Sequence, residues 1–315
     1  MCKRSCYLEN KLKKIICIGG ACIDRTLTLL QQLKEETSNP VLSFTSFGGV
    51  ARNVAENLGR WTKEVQLRCL VGDDREGKAL LAHMQKLGVH IDNSIISTNH
   101  TTSHYYAVLN HENDLHIAFS DMTIYDNISF SQFTLCNWPK DSLIFIDTNL
   151  PQDIVQYFIQ QSQQQDFRLC IDPVSIAKAQ KLPPKLENIF LLKPNRDEAS
   201  VLTNIKITSL TTCLQAGILL LEKGVKNVVI SLGPDGYVVV NKNYQACFPC
   251  VKPKAINNVN GAGDAFIAGI LYGLQQDYDI LQACELGALA AALTVESKQT
   301  VAENITVEKL QAVYV

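Results

Sequence analysis

The sequence predicts an α/β fold: a three-layer αβα arrangement in which a doubly wound, mostly parallel sheet carries helices on both faces and a small β-sheet stands off it as a lid. Three observations predict it. Short β-branched runs alternate with longer helical patterns, two stretches break that alternation, and glycine-rich turns sit where strands end and helices begin.

In order along the chain, the apolar runs at 15–18, 67–71, 143–147, 169–172, 190–192 and 228–231 read as buried parallel strands. Helical patterns at 50–60, 77–87, 152–165, 210–223, 265–274 and 280–295 fill the gaps between them. Strand, helix, strand implies one sheet with helices on both faces. Residues 41–47, and 102–109 followed by a polar turn at 110–114 and a run at 115–119, read instead as antiparallel strands with a hairpin. As insertions between βα units, at about 25–47 and 101–121, they are expected to cover the carboxyl ends of the main strands, where ligands of such sheets bind.

Composition narrows the function. At 315 residues with 46% hydrophobic, the chain can bury a sizeable core. A net charge of −2 with 19% charged residues offers no basic field, so no nucleic-acid partner is expected. The opening segment at 1–14 has no apolar stretch of signal-peptide length, and the apolar runs at 218–221 and 288–293 fall far short of the ~18 to 20 residues of a membrane span. No membrane partner is expected. Eleven cysteines are an odd count, and Cys17, Cys69 and Cys170 fall in strand-like runs where a thiol packs as a small hydrophobe, so a reducing cytoplasm is the simpler setting. Cys247 and Cys250 have metal or redox spacing without a second pair. His100, His104, His111 and His116 fall in the lid at spacings that match no usual ligand set, so both groups are expected to be ordinary residues.

The chemistry is carried by four elements. Asn258-Val259-Asn260-Gly261-Ala262-Gly263-Asp264-Ala265-Phe266 is a glycine turn running into an apolar helix. Backbone N–H groups there converge on an anion, and the helix dipole favours negative charge at that end. Asp264 would then face a hydroxyl brought up to a bound phosphate; the ordinary reading is an Asn-Gly turn with Asp in the first helical turn. Phe47-Gly48-Gly49-Val50-Ala51-Arg52-Asn53 leads from a lid strand into a helix, with glycines for close approach and Asn53 offering an amide to a polyol. Asp24 is read as a carboxylate in the loop after the first strand, suited to sugar hydroxyls. In Leu192-Lys193-Pro194-Asn195-Arg196-Asp197-Glu198, Asn195 and Glu198 form a capping-box pattern and also suit Mg²⁺ held mostly through water. Ser231-Leu232-Gly233-Pro234-Asp235-Gly236 follows a strand as a hairpin-like turn with room for phosphates and ribose.

This order of elements resembles the ribokinase-like (PfkB) carbohydrate and nucleoside kinases over essentially the whole chain, as a single kinase domain at 1–315 with an inserted lid. Within the family, the stretches at 39–58, 172–175, 192–199 and 120–122 are most similar to pseudouridine kinases. The resemblance implies Mg·ATP-dependent transfer of the γ-phosphoryl group to a primary sugar hydroxyl, the ribose 5′-OH for pseudouridine, with ribose, fructose, adenosine or inosine as other acceptors. A nucleoside-binding regulator without turnover is the alternative of another class. Asp264 would be the base, and Gly261, Ala262 and Gly263 would stabilise the transferring phosphoryl charge. Asp24, Gly48, Gly49 and Asn53 would hold the ribose, with Asn149 as a further contact. Asn195, Ser231, Gly233, Gly236 and Gly263 would bind ATP, and Glu198 would hold Mg²⁺ through water. Asn258 stands where many members carry Asp, so a monovalent-cation site there loses a formal charge. Cys22 and Val50 replace a common Asn and Lys, which argues against plain ribose. Exposed lid edges invite a second copy, so a lid-mediated homodimer is expected.

Overall fold

The computed structural model describes residues 13–112, 114–134 and 138–312; the opening segment at 1–12 and position 113 of the polar turn lie outside them. The chain runs through β1 (Ile15–Ile18), leaves the main sheet for lid strands β2 (Cys22–Leu29) and β3 (Val41–Gly48), and returns by α1 (Val50–Trp61) to β4 (Val65–Arg68). Next come β5 (Leu70–Gly72), α2 (Arg75–Lys86), β6 (Ile95–Ser97), and two more lid strands, β7 (His104–Leu109) and β8 (Leu115–Asp121). Short helices α3 (Thr123–Asp126) and α4 (Phe130–Thr134) lead into β9 (Ser142–Asp147), α5 (Gln152–Gln164), β10 (Phe167–Asp172), α6 (Ile176–Ala179), β11 (Ile189–Leu192), α7 (Arg196–Thr203), α8 (Leu210–Glu222) and β12 (Asn227–Ser231). The described chain closes with β13 (Tyr237–Asn241), β14 (Gln245–Phe248), α9 (Ala262–Gln275), α10 (Ile280–Val295) and α11 (Val307–Gln311).

The main sheet has the order β14-β13-β12-β11-β10-β9-β1-β4, parallel from β4 to β12 and antiparallel at β13 and β14. Its strands are apolar on both faces because helices cover both. Along β1, Ile15 and Cys17 join one core with α1, α9 and α10, while Ile16 and Ile18 join the other with α5 and α8. That alternation is the period of two of a strand. Each such Ile, Leu or Phe contributes roughly 1.5–3 kcal/mol of burial, which makes the sheet a rigid platform for the loops at its carboxyl edge.

The expected α/β class with a lid is what the chain forms; several local expectations differ. The run at 67–71 is two strands in different sheets, because the chain turns away at Cys69 and β5 pairs with β6. The lid, ordered β3-β2-β7-β8, is mixed rather than antiparallel: β2 and β7 are joined by a crossover and run parallel. Asp24 sits inside β2 and not in a loop, since the first strand ends at Ile18 and the lid begins within four residues. Strand β14, which carries Cys247, had no counterpart in the expected pattern.

Candidate active site

Several loops converge at the carboxyl edge of the parallel strands. Gly261 is the N-cap of α9 with φ 80°, and an added Cβ would collide with Thr300 O. A residue other than glycine is strained there both by conformation and by lack of space. The turn therefore brings the first turn of α9 to a cavity lined by Ala262 and Gly263, with the Ala262 N–H making only a long 3.4 Å bond to Val259 O.

Asp264, half-buried in that first turn, accepts a 2.6 Å hydrogen bond on Oδ2 from Asn53 Nδ2 of α1, 211 residues earlier. Burial pushes its carboxyl up to about 7. The Asn53 hydrogen bond, Lys193 and Arg52 oppose that rise, and Asp172 adds to it. A carboxyl held there splits between base and acid at neutral pH, which is the range a proton acceptor needs. Asn53 keeps a second amide proton for another acceptor.

Beneath the glycine turn lies a buried charge cluster. Lys193 Nζ sits 2.8 Å from Asp172 Oδ2 and 3.4 Å from Gly263 O. Burial opposes its charge, but Asp172, Glu198 and Asp264 together hold the ammonium above its ordinary range. Asn195 caps α7 with a full capping box: its Oδ1 accepts from Asp197 N and Glu198 N, and Glu198 takes Asn195 N and Nδ2, each at 2.8 Å. Burial, followed by Asp172, pushes the Glu198 carboxyl up to about 7. Glu198 is 2% exposed with both oxygens engaged by Asn195, which suits a metal reached through water and disfavours direct ligation.

Asn195, Ser231, Gly233, Gly236 and Gly263 all line one cavity of about 490 Å³. Its outer wall is apolar, with Ile256 and Val259 from the loop before α9 and Ala288 and Ala292 from α10. Glycine turns and an apolar wall thus share one cavity, a lining that can take a ligand with both polar and apolar parts. Asn258, by contrast, is engaged by protein groups: Oδ1 accepts from Asn260 N of its own loop, and Nδ2 donates to Lys298 O of the segment after α10.

On the lid side, an added Cβ on Gly48 would run into the Asp24 carboxyl, so the two meet across β2 and β3. Burial raises the Asp24 carboxyl, against a hydrogen bond from the Cys22 thiol and the charge of Arg52. Gly49, at φ 95°, lies against Gly20 O. Buried Asp147 ties this corner together by accepting from Gly20 N, Ala51 N and Asn149 N at 2.8–2.9 Å. Asn149 is 5% exposed, packs on Gly20 and accepts from Lys178 Nζ. Asp264, Asn53 and the five cavity residues are thus brought together, and Asp24, Gly48, Gly49 and Asn149 frame the adjoining corner. Sequence reading gave no role to Arg52, Asp147, Asp172 or Lys193, although Asp147 and Asp172 end strands as the last residue and Lys193 begins a strand-end loop. The uninterrupted small apolar run of α10 was the available sign of the cavity wall.

Residues 12–306 match the family model of the pfkB family carbohydrate kinases. The chain belongs to that family. As a member it is a phosphotransferase acting on a hydroxyl group, a sugar or nucleoside kinase. It is 29% identical over 259 residues to the pseudouridine kinase of Escherichia coli K12, covering 81% of this chain and 82% of that one. Among solved structures, a carbohydrate kinase from Agrobacterium tumefaciens is 27% identical with TM-score 0.80, over 96% of each chain. The ribokinase of Arabidopsis thaliana, solved with ribose and ATP, is 18% identical with TM-score 0.81 over 96% of this chain and 98% of that one, and shares the fold. Among the described residues no helix is long and apolar enough to cross a membrane. No cluster of three or more His, Cys, Asp or Glu able to hold a metal occurs among them either; His104 is bonded to Glu76 and His100 to Ser97.

Proposed function

We propose that this kinase transfers the γ-phosphoryl group of ATP to the 5′-hydroxyl of pseudouridine, giving pseudouridine 5′-phosphate, with Asp264 as the base. The observation that carries the reading is the Asp264 carboxyl, held near neutrality at the mouth of α9 beside the nucleotide-sized cavity and steered by Asn53. Asp264 takes the hydroxyl proton as the acceptor oxygen attacks phosphorus; the bond to ADP breaks in line, and the amides of 261–263 receive the equatorial charge. Asp24, Gly48, Gly49, Asn53 and Asn149 hold the nucleoside under the lid, which excludes water from the γ-phosphate. Asn195, Ser231, Gly233, Gly236 and Gly263 hold the nucleotide. Glu198, with its hard carboxylate oxygens and partner Asn195, would hold Mg²⁺ through water, and the ion would supply charge neutralisation on the phosphates. The likeness to the E. coli enzyme, spread over four-fifths of the chain, supports pseudouridine over other acceptors.

The test is product formation with Mg·ATP across pseudouridine, uridine, adenosine, inosine, ribose and fructose. Pseudouridine should give the highest kcat/KM; a preference for another acceptor refutes the substrate, and tight nucleoside binding without any product favours a regulator. Potassium titration in the same assay decides whether Asn258 serves a monovalent cation. We also propose a cytoplasmic homodimer through the lid, supported by Leu42 and Phe44 on edge strand β3, 65% and 62% exposed, and Leu115 on edge strand β8, 60% exposed. A monomer by light scattering at micromolar concentration removes it.

A further inference from the structure

We propose that Arg52 is a positioning residue for phosphoryl transfer: its guanidinium fixes the Asn53 carboxamide, and through it the Asp264 carboxyl, in register with the end of lid strand β3. The inference rests on the reading of Asp264 as the base.

Arg52 is 2% exposed, yet its donors fan out to four different groups. Nη1 pairs with Glu56, Nη2 reaches Phe47 O at 2.6 Å and also Asn53 Oδ1, and Nε reaches Gly48 O at 3.2 Å. Two of these acceptors are the last carbonyls of β3, beside the glycine that meets Asp24. The third decides which way Asn53 points. With its oxygen held by a cation, the carboxamide must present Nδ2 to Asp264, and that is the bond observed at 2.6 Å. Turned over, the same side chain would set an oxygen against a carboxylate, a repulsive contact that disfavours the ionised base. Only a planar fork serves a carboxylate, an amide oxygen and two carbonyls at once; an ammonium is a compact point charge with three donors.

The surrounding charges are arranged to keep Arg52 in place. Burial alone would raise Glu56, but His83, Arg52 and Arg60 hold it down to about 2, so the counterion stays ionised. Asp264 faces Asp172 and Lys193 from the strand ends and Arg52 from α1, while Asp24 and Cys22 feel Arg52 from the lid side. The Asn53 backbone is fixed separately, by Asn53 N to Gly49 O and Asn57 Nδ2 to Asn53 O. What Arg52 adds is therefore side-chain orientation and a link between lid strand and base.

The experiment compares Arg52→Lys, the double variant R52M/E56M and Asp264→Asn. Replacing both members of a buried pair with apolar residues of similar length usually preserves folding, so the double variant separates positioning from stability. With native-like unfolding temperature, it should lose about 100-fold in kcat, the scale of a small misplacement of a reacting group. KM for Mg·ATP should stay within about threefold, since the nucleotide cavity is untouched. The acid limb of its kcat/KM profile should move to higher pH, a change that a purely structural role does not make. Arg52→Lys should lie between native and double variant, and it carries the same kcat, KM and pH comparison if the double variant does not fold. Native kcat with a native acid limb in the folded double variant, or in Arg52→Lys should that alone fold, overturns the role of Arg52. Native turnover in Asp264→Asn overturns the reading beneath it instead, so the two failures are distinguishable.

Discussion

Asp264→Asn should trade activity for stability, with both sides of the trade readable. The Asp264 carboxyl stands at about 7 in the folded chain against an ordinary value of 3.8. The native state thus binds a proton that the unfolded chain has already lost between pH ~4 and ~7, so stability falls as pH rises through that window and levels off above it. A rise of about three units corresponds to ~4 kcal/mol at most, and the part-exposure of the side chain toward the cavity discounts that to roughly 2 kcal/mol. Asparagine carries no charge to desolvate and still accepts from Asn53, so the variant should be more stable than the native chain at pH 8 and nearly equal to it at pH 4. Removing a base costs about 10² to 10⁴ in kcat. In the native enzyme kcat/KM should climb about tenfold from pH 6 to pH 8, as a group titrating near 7 does. Thermal denaturation from pH 4 to 8 and steady-state kinetics check both halves. A variant that keeps its turnover, or one less stable than the native chain at pH 8, refutes the reasoning.

Gly261→Ala places a Cβ against Thr300 O at a residue of positive φ. It should cost more than ~1 kcal/mol in urea denaturation and lower kcat at the same time, because the turn it distorts is the proposed anion site. Asn195→Ala removes the side-chain cap of α7 and the Nδ2 donor to Glu198, while the backbone N–H to Glu198 remains. A stability loss of about 1 kcal/mol should accompany a raised Mg²⁺ requirement at neutral pH, since Glu198 loses a donor that favours its ionised form. Loss of stability with an unchanged Mg²⁺ titration assigns Asn195 to the cap alone.

The sheet was legible because burial on both faces writes itself into each strand as a continuous apolar run, and the helices because their stripes meet those faces. The capping box at Asn195 and Glu198 was legible for a similar reason: it is local, and both partners lie within one helical turn. The glycine turn was legible as a tight entry into a helix, which is what Gly261 makes at the start of α9. What could not be read was every pairing across the chain. Asn53 and Asp264 meet over 211 residues, Lys193 and Asp172 meet across adjacent strand ends, and Asp147 gathers amides from two loops and the first turn of α1. No periodicity encodes such contacts; topology does. The single strand expected at 67–71 failed because a run of apolar residues does not say which of two sheets its halves will join.

The three carboxylates of that cluster make one more demand. Asp172, Glu198 and Asp264 share a single buried ammonium, Lys193, and both Glu198 and Asp264 are pushed up to about 7 by burial and by their neighbours. A nucleotide arriving without a divalent ion adds negative charge beside them, so it binds best to the protonated cluster and should stabilise the protein less at pH 8 than at pH 6. With Mg²⁺ the sign reverses, because the ion interacts favourably with ionised carboxylates, and binding then releases protons. Saturating a site to 100 times its dissociation constant adds about 2.7 kcal/mol, which is large enough for a thermal shift to be followed across pH. A non-hydrolysable ATP analogue should therefore give a shift that grows from pH 6 to pH 8 with Mg²⁺ and shrinks without it. If the two series run parallel, the ion is not near these carboxylates, and Glu198 is a helix cap and nothing more.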